Sequence, residues 1–248
     1  MIKRILVLIG TFSIIIILAF PIKANVKLEN NFPKYDSTID LNKLAKLINS
    51  CEQHMNYAED LVEAALNLGY QSTHPVIKLG QSEYQVANRH YQLYTIKYQN
   101  WKAKWEEYPI ATEIWTYLKS LGYSDNICAG IMGNMMTEAG GNNLNIQYNL
   151  YSKNKIHYGI CQWNINYYKE IADTDLKTQL NFLSNNIVFE FNNFGYIYSD
   201  NFDYLDFTNL KSYEDVALIF AKCYERCSSS TYIVRIENAK KAYEYFTS

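Results

Sequence analysis

The chain has 248 residues, with 23 Lys+Arg against 25 Asp+Glu for a formal net charge of −2, and its 48 % hydrophobic content is broken by only 10 Gly and 4 Pro. These proportions exclude a disordered or collagen-like chain and supply enough apolar surface for one or two packed domains. Balanced charge with no long basic run argues against a nucleic-acid partner. The 23 Tyr, 11 Phe and 4 Trp suit a surface that packs rings yet keeps a polar tip wet, as a sugar-binding cleft does, though composition alone does not decide this.

Residues 1–24 read as a targeting segment. Lys3 and Arg4 lead, residues 5–20 are almost wholly apolar, and the stretch ends on Ala24. That is the pattern of a secretory signal cleaved after Ala24. The competing reading is an uncleaved anchor, with residues 5–20 attached to the membrane. Either way the rest of the chain is expected outside the cytoplasm, secreted or membrane-anchored.

Beyond this segment lie five cysteines: Cys51, Cys128, Cys161, Cys223 and Cys227. They lack paired CxxC spacing, and the four His are scattered, which speaks against structural zinc. Export permits disulfides, but Cys223 and Cys227 lie four apart on an expected helix, a poor geometry for bridging each other. Reduced thiols are the expectation. With no metal, nucleotide or flavin signature, no cofactor is expected.

From Leu41 the apolar positions Leu41, Leu44, Ile48, Cys51, Met55, Ala58, Val62 and Ala65 alternate spacings of three and four. Asp40 is placed to cap this helix and Gly69 to end it. After a break over residues 71–80 the pattern returns as Tyr84, Ala87, Tyr91, Tyr94, Tyr98, Trp101 and Trp105. Two such seams predict an antiparallel, coiled-coil-like helical hairpin within residues 25–108. It serves either as a support for the C-terminal part of the chain or as an arm that offers its aromatic stripe to a partner. Near Pro109 the pattern resets, and residues 109–248 have the size of a second domain.

In that domain a helix over residues 111–121 buries Ile114, Trp115 and Leu118. Ser124 or Asp125 then caps a helix running to Glu138, with Ile127, Ile131, Asn134 and Glu138 on one face. Glu138 lies in the last turn, beside the negative end of the helix dipole and on a mainly apolar face. Both features favour a protonated carboxyl group, the form that donates a proton to a leaving oxygen. Spacing alone leaves open a simple salt bridge at a helix end. Residues 142–151 and 155–163 read as short strands around a turn at 152–154. Helices then resume over 174–191, with Leu176, Leu180, Leu183 and Ile187 inward, over 212–226, and over 231–246 with Ile236, Ala239, Tyr243 and Phe246 inward.

Three segments together, Ala129-Gly-Ile-Met-Gly-Asn-Met-Met-Thr-Glu138, Tyr158-Gly-Ile-Cys-Gln-Trp163 and Phe220-Ala-Lys-Cys-Tyr-Glu-Arg226, with Arg235 and Ala239 downstream, resemble the phage tail lysozyme family of lysozyme-like murein hydrolases. The resemblance covers residues 109–246. It implies an α+β, mainly α, lysozyme-like fold with a small β-hairpin beside the cleft, preceded here by the helical hairpin. It further implies Glu138 as catalytic acid, with Tyr158, Gln162 and Trp163 lining the sugar cleft of a peptidoglycan-cutting enzyme. Asn134, one turn before Glu138, is expected to orient the acid or cap a backbone group. Tyr224 is a candidate to steady an intermediate. Glu225 is the candidate second carboxylate, set against a structural ion pair with Arg226; Glu190, Asp173 and Asp175 are weaker. Without a second carboxylate the same Glu serves a lytic transglycosylase, and a silent wall-binding protein is the reading from another class.

Overall fold

A computed structural model describes residues 40–248, so the expected leader lies outside the described residues. Helix α1 (Leu41–Asn67) opens on Asp40, whose carboxylate accepts the amides of Asn42 at 2.8 Å and Lys43 at 3.3 Å. Gly69, at φ +84°, turns the chain, and α2 (Pro75–Glu107) begins with proline at its first position. The link is shorter than the expected break at 71–80, because Gly80 lies inside α2. A Cβ there would stand 2.6 Å from Val62 Cγ2. The glycine is used for close approach, not to end a helix. Leu44, Cys51, Ala58 and Ala65 of α1 are buried, as are Ile77, Ala87 and Tyr94 of α2; of the predicted aromatic stripe only Tyr94 is fully buried, with Tyr84, Tyr91, Tyr98, Trp101 and Trp105 half-buried.

The hairpin is tied to the rest of the protein at its lower end. Helix α3 (Pro109–Ser120) follows α2 after one residue and buries Ile114, Trp115 and Leu118. Phe246 stacks on Trp115 at 4.6 Å and on Trp101 at 6.1 Å between ring centroids. Lys104, buried beside them, donates to the carbonyl of Tyr245 at 2.5 Å, and burial lowers its pKa.

Helix α4 (Asp125–Ala139) is capped by Ser124 and buried on nearly every side. Helices α5 (Leu176–Phe194), α6 (Tyr204–Thr208), α7 (Tyr213–Phe220) and α8 (Tyr232–Thr247) complete the fold; α7 and α8 both pack on α4. The expected inward residues of α5 are all buried. On α8 the buried face is Arg235, Asn238, Ala239, Ala242 and Phe246, whereas Ile236 and Tyr243 of the expected stripe are half-buried. The reason is Gly133 of α4: a Cβ there would stand 2.5 Å from both Ala239 N and Arg235 O. Helix α8 therefore packs directly on the backbone of α4 through the Arg235–Ala239 edge. Gly133→Ala is expected to cost about 1–3 kcal/mol or more by overpacking, since backbone on α8 cannot rotate aside as a side chain can. Urea unfolding measures this, and an unchanged midpoint would contradict the close contact.

Two of the expected elements differ. Strands β1 (His157–Tyr158) and β2 (Trp163–Asn164) pair antiparallel, with Tyr158 opposite Trp163. The turn between them carries Gly159 at φ +84° and Gln162 at φ +47°. Residues 142–150 form no strand. Their backbone donors are met locally: Asn145 N–H by Asn143 Oδ1 at 2.7 Å and Gln147 N–H by Ala139 O at 2.9 Å. Only Tyr151 bridges Tyr158. The predicted helix at 212–226 is α only over α7. Residues Ala221–Glu225 widen into a π-turn, and Arg226 ends it at φ +50°. The protein is thus mainly α with a small antiparallel sheet and an N-terminal helical hairpin, as expected. All five cysteines are free thiols.

Candidate active site

Glu138 stands at the C-terminal end of α4 with 22 % of its side chain exposed. Its surroundings differ from the apolar face that spacing suggested, because a buried cation reaches it from α8 and forms the salt bridge at the helix end that spacing left open. Arg235 donates through Nη2 to Glu138 Oε1, through Nη1 to Asn134 Oδ1 at 2.9 Å, and through Nε to Thr231 Oγ1 at 3.2 Å. Asn134 is wholly buried, and its Nδ2 donates to the carbonyls of Gly130 at 2.9 Å and Ala217 at 3.1 Å. A continuous chain of bonds thus runs from the α4 and α7 backbones through Asn134 and Arg235 to one carboxylate oxygen. Asn134 bonds two backbone carbonyls and accepts from Arg235, and it makes no hydrogen bond to Glu138 itself.

A cleft of about 450 Å³ opens beside this chain, its wall including Gln162, Trp163, Tyr168, Tyr224, Glu225 and Arg226. Gln162 spends its amide donors on the turn, on Leu150 O and Gly159 O, each at 3.0 Å. Trp163 is 5 % exposed, set edge-on to Phe182, and its indole N–H donates to Tyr224 Oη at 3.0 Å. Burial above all raises the Tyr224 phenol well beyond the usual range. Glu138, Arg235, Tyr158 and Asn134 are absent from the cleft lining; Glu225 and Cys161 are the residues of its wall that interact electrostatically with Glu138. The Tyr158 hydroxyl donates to Thr174 O at 3.1 Å, holding the turn.

Glu225 makes no ion pair with Arg226, contrary to the structural alternative weighed for it. The left-handed turn at Arg226 directs the guanidinium to Glu190 Oε2 at 2.5 Å and Cys223 O at 3.2 Å. Tyr168 donates to the other oxygen of Glu190 at 2.9 Å. Glu225 is half-buried as a residue, yet its Oε1 is sealed from solvent with no hydrogen-bond partner. Burial, followed by the charge of Glu138, pushes its pKa well above the ordinary carboxylate range, against the pull of Arg235 and of a hydrogen bond from the Cys161 thiol. The Cys161 thiol lies in the same cleft wall and is pushed up by burial, then by Glu225 and Glu138, which keeps it protonated and unreactive.

The weaker carboxylates have other work. Asp175 caps α5 by accepting from Thr178 N–H at 2.8 Å, which lowers its pKa, and Asp173 accepts from Tyr151 at 2.9 Å. Sequence reasoning missed Arg235 as a site residue. Its signal was a charge on the repeat 235, 239, 242, 246, otherwise filled by apolar residues. Among the described residues no group of three or more His, Cys, Asp and Glu could hold a metal ion. A larger groove of about 750 Å³ runs along the helical hairpin, past Ala58, Val62, Gly80 and Tyr84. It lies away from the Arg235 chain, so the smaller cleft is the candidate site.

Comparison with protein families matches residues 109–246 to the family described as Phage tail lysozyme. The search of curated proteins finds no match.

Proposed function

The chain belongs to the phage tail lysozyme family of lysozyme-like cell-wall hydrolases, and from that premise we propose that it cuts the β-1,4 bond between N-acetylmuramic acid and N-acetylglucosamine in peptidoglycan, with Glu138 as general acid. The observation that carries this reading is the chain from Asn134 through Arg235 to Glu138 beside the cleft. Holding a carboxyl group in one orientation is what proton transfer to a bound leaving group requires. Arg235 engages Oε1, which leaves Oε2 as the oxygen through which Glu138 acts on the glycosidic bond in this reading. As that bond breaks, its electrons pass to the leaving oxygen and C1 acquires oxocarbenium character.

In this reading Gln162, Trp163 and Tyr224 form the sugar-facing wall, while Asn134 and Tyr158 act as positioning residues behind it. Residues 109–248 are the catalytic domain and 25–108 its helical support. Residues 1–24 direct export, or anchor the chain at the membrane if retained. The family implies action outside the cytoplasm; among the described residues no helix is long and apolar enough to cross a membrane.

The test is incubation of the full chain with purified peptidoglycan, following turbidity and newly formed chain ends. Clearing with new glycan ends supports the glycosidase. Binding to the wall without a single new end, by protein shown to be folded, favours a glycan reader instead.

A further inference from the structure

Trp163, Tyr167, Tyr168 and Tyr224 all stand in the cleft wall, and all but Tyr167 are already engaged. Trp163 is edge-on to Phe182 and gives its N–H to Tyr224, whose ring stacks on Phe220 at 4.5 Å between centroids. Tyr168 meets Phe182 edge-on and bonds Glu190. Tyr167 is the exception. It is 81 % exposed, and among the described residues no ring meets its own and no group bonds its hydroxyl. An exposed tyrosine alone needs no explanation; Tyr196, at 64 %, lies outside the cleft wall. Tyr167 differs in having a fixed backbone and unengaged polar groups beside it.

Asn164, at the end of β2, fixes that backbone. Its carbonyl accepts the amides of Tyr167 and Tyr168, each at 3.0 Å, and its Oδ1 accepts the amide of Asn166 at 3.0 Å. The turn brings the Tyr168 hydroxyl to buried Glu190 and leaves the Tyr167 ring open at the cleft. Among the described residues the Asn164 amide nitrogen makes no bond, nor do the Asn186 side chain on α5 and the imidazole of His157 on β1. All three residues are half-buried in the same wall. Half-buried polar groups with no partner inside the protein are those a ligand can satisfy.

We propose that Tyr167 is the stacking platform of a subsite for an N-acetylhexosamine ring, with Asn164, Asn186 and His157 bonding the hydroxyl and acetamido groups of that sugar. This rests on the reading that the cleft takes peptidoglycan, and it names where one sugar is gripped. A β-1,4-linked pyranose with equatorial substituents has faces made of axial C–H bonds. A tyrosine ring covers such a face while its hydroxyl stays wet. Neutral amides suit neutral hydroxyl and acetamido groups. The carboxylates of a wall peptide would call for a cation instead, and Arg226, the guanidinium of this wall, is bound to Glu190. Trp163, 5 % exposed, cannot offer its face, so stacking falls to Tyr167. No hydrogen bond or ring contact joins Tyr167 to Glu138 or Arg235; it holds substrate and takes no part in proton transfer.

Kinetics on soluble peptidoglycan fragments test this first. Tyr167→Ala should raise KM about 3- to 10-fold, the value of one aromatic stacking contact. Its kcat should be nearly unchanged, because binding is lost equally from the ground and transition states. Tyr167→Phe keeps the ring and should recover most of the affinity. Both variants should fold as the wild type does, since the side chain is exposed and unbonded. An unchanged KM in Tyr167→Ala, a loss confined to kcat, or equal losses in the two variants overturns the proposal.

A binding readout stands apart from turnover. Oligomers of β-1,4-linked N-acetylglucosamine, which carry no peptide, are titrated into the wild type and Tyr167→Ala while tyrosine ring resonances are followed by NMR. One ring signal, identified by its absence from the variant, should move, and Kd should rise about 3- to 10-fold in the variant. A stationary signal overturns the platform, as does one that moves only with stem peptide free of sugar. A wild type that binds the oligomers through Tyr167 yet cuts no glycan removes the glycosidase reading and supports the subsite.

Discussion

Glu138→Gln is expected to lower the rate of wall cleavage by about 10²- to 10⁴-fold, the contribution of a positioned acid–base group. The amide keeps the shape of the side chain and can still accept from Arg235 through its oxygen. It has no acidic proton to deliver. Arg235, 2 % exposed, would then face a neutral partner, and the loss of a charge-assisted bond should cost about 1–3 kcal/mol of stability. Partial exposure of Glu138 argues for the lower end of that range. Turnover on purified peptidoglycan, with unfolding followed in parallel, separates the two effects. A folded variant cutting at the wild-type rate would remove Glu138 from the mechanism.

Arg235→Met should have the largest effect on the fold. The guanidinium joins Asn134, Glu138 and Thr231, and methionine fills similar space without a donor. Removing one partner of a buried ion pair costs about 3–5 kcal/mol, because the remaining group is left unsatisfied. The two carboxyl groups would also lose the cation that acts on both. Arg235→Lys should recover only part of this, since an ammonium is a point donor and cannot reproduce the planar fork that holds Asn134 and Glu138 together. The midpoint of denaturant unfolding is the measure. A loss below about 1 kcal/mol, the value of an exposed pair, would mean that Arg235 does not organise the site.

Much of this arrangement was legible in the sequence. Long runs with apolar positions three and four apart marked α1, α2 and α5, and cap residues such as Asp40 and Ser124 fixed where helices start. Those signals are local, so they survive without knowledge of the tertiary structure. Glu138 also stood out, on a resemblance spread over three segments. Its counter-ion did not, because Arg235 lies 97 residues away and reaches it only because Gly133 lets two helix backbones touch. Glycine at 133 and at 80 reads as a weak helix residue until the neighbouring helix is known.

Other features escaped for reasons of geometry. The π-turn at Ala221–Glu225 adds no residue type that announces it, and its effect is to break the neighbouring Glu225–Arg226 pair that sequence proximity suggested. Residues 142–150 alternate as a strand does. Asn143, however, bonds its own backbone two residues on, and that local bond replaces a partner strand. Gln162 and Trp163, which the resemblance implies at a sugar cleft, lie in the wall of the 450 Å³ cleft. The fixed bonds of their side chains belong to the tertiary structure alone.

Mass spectrometry of the soluble products of peptidoglycan digestion, by the wild type and by Glu138→Gln side by side, tests the central claim most directly. Fragments bearing one added water and a reducing muramic acid end, formed by the wild type and nearly absent with the variant, are the predicted result. Equal amounts of the same fragments from both proteins would contradict the assignment of Glu138 as the acid.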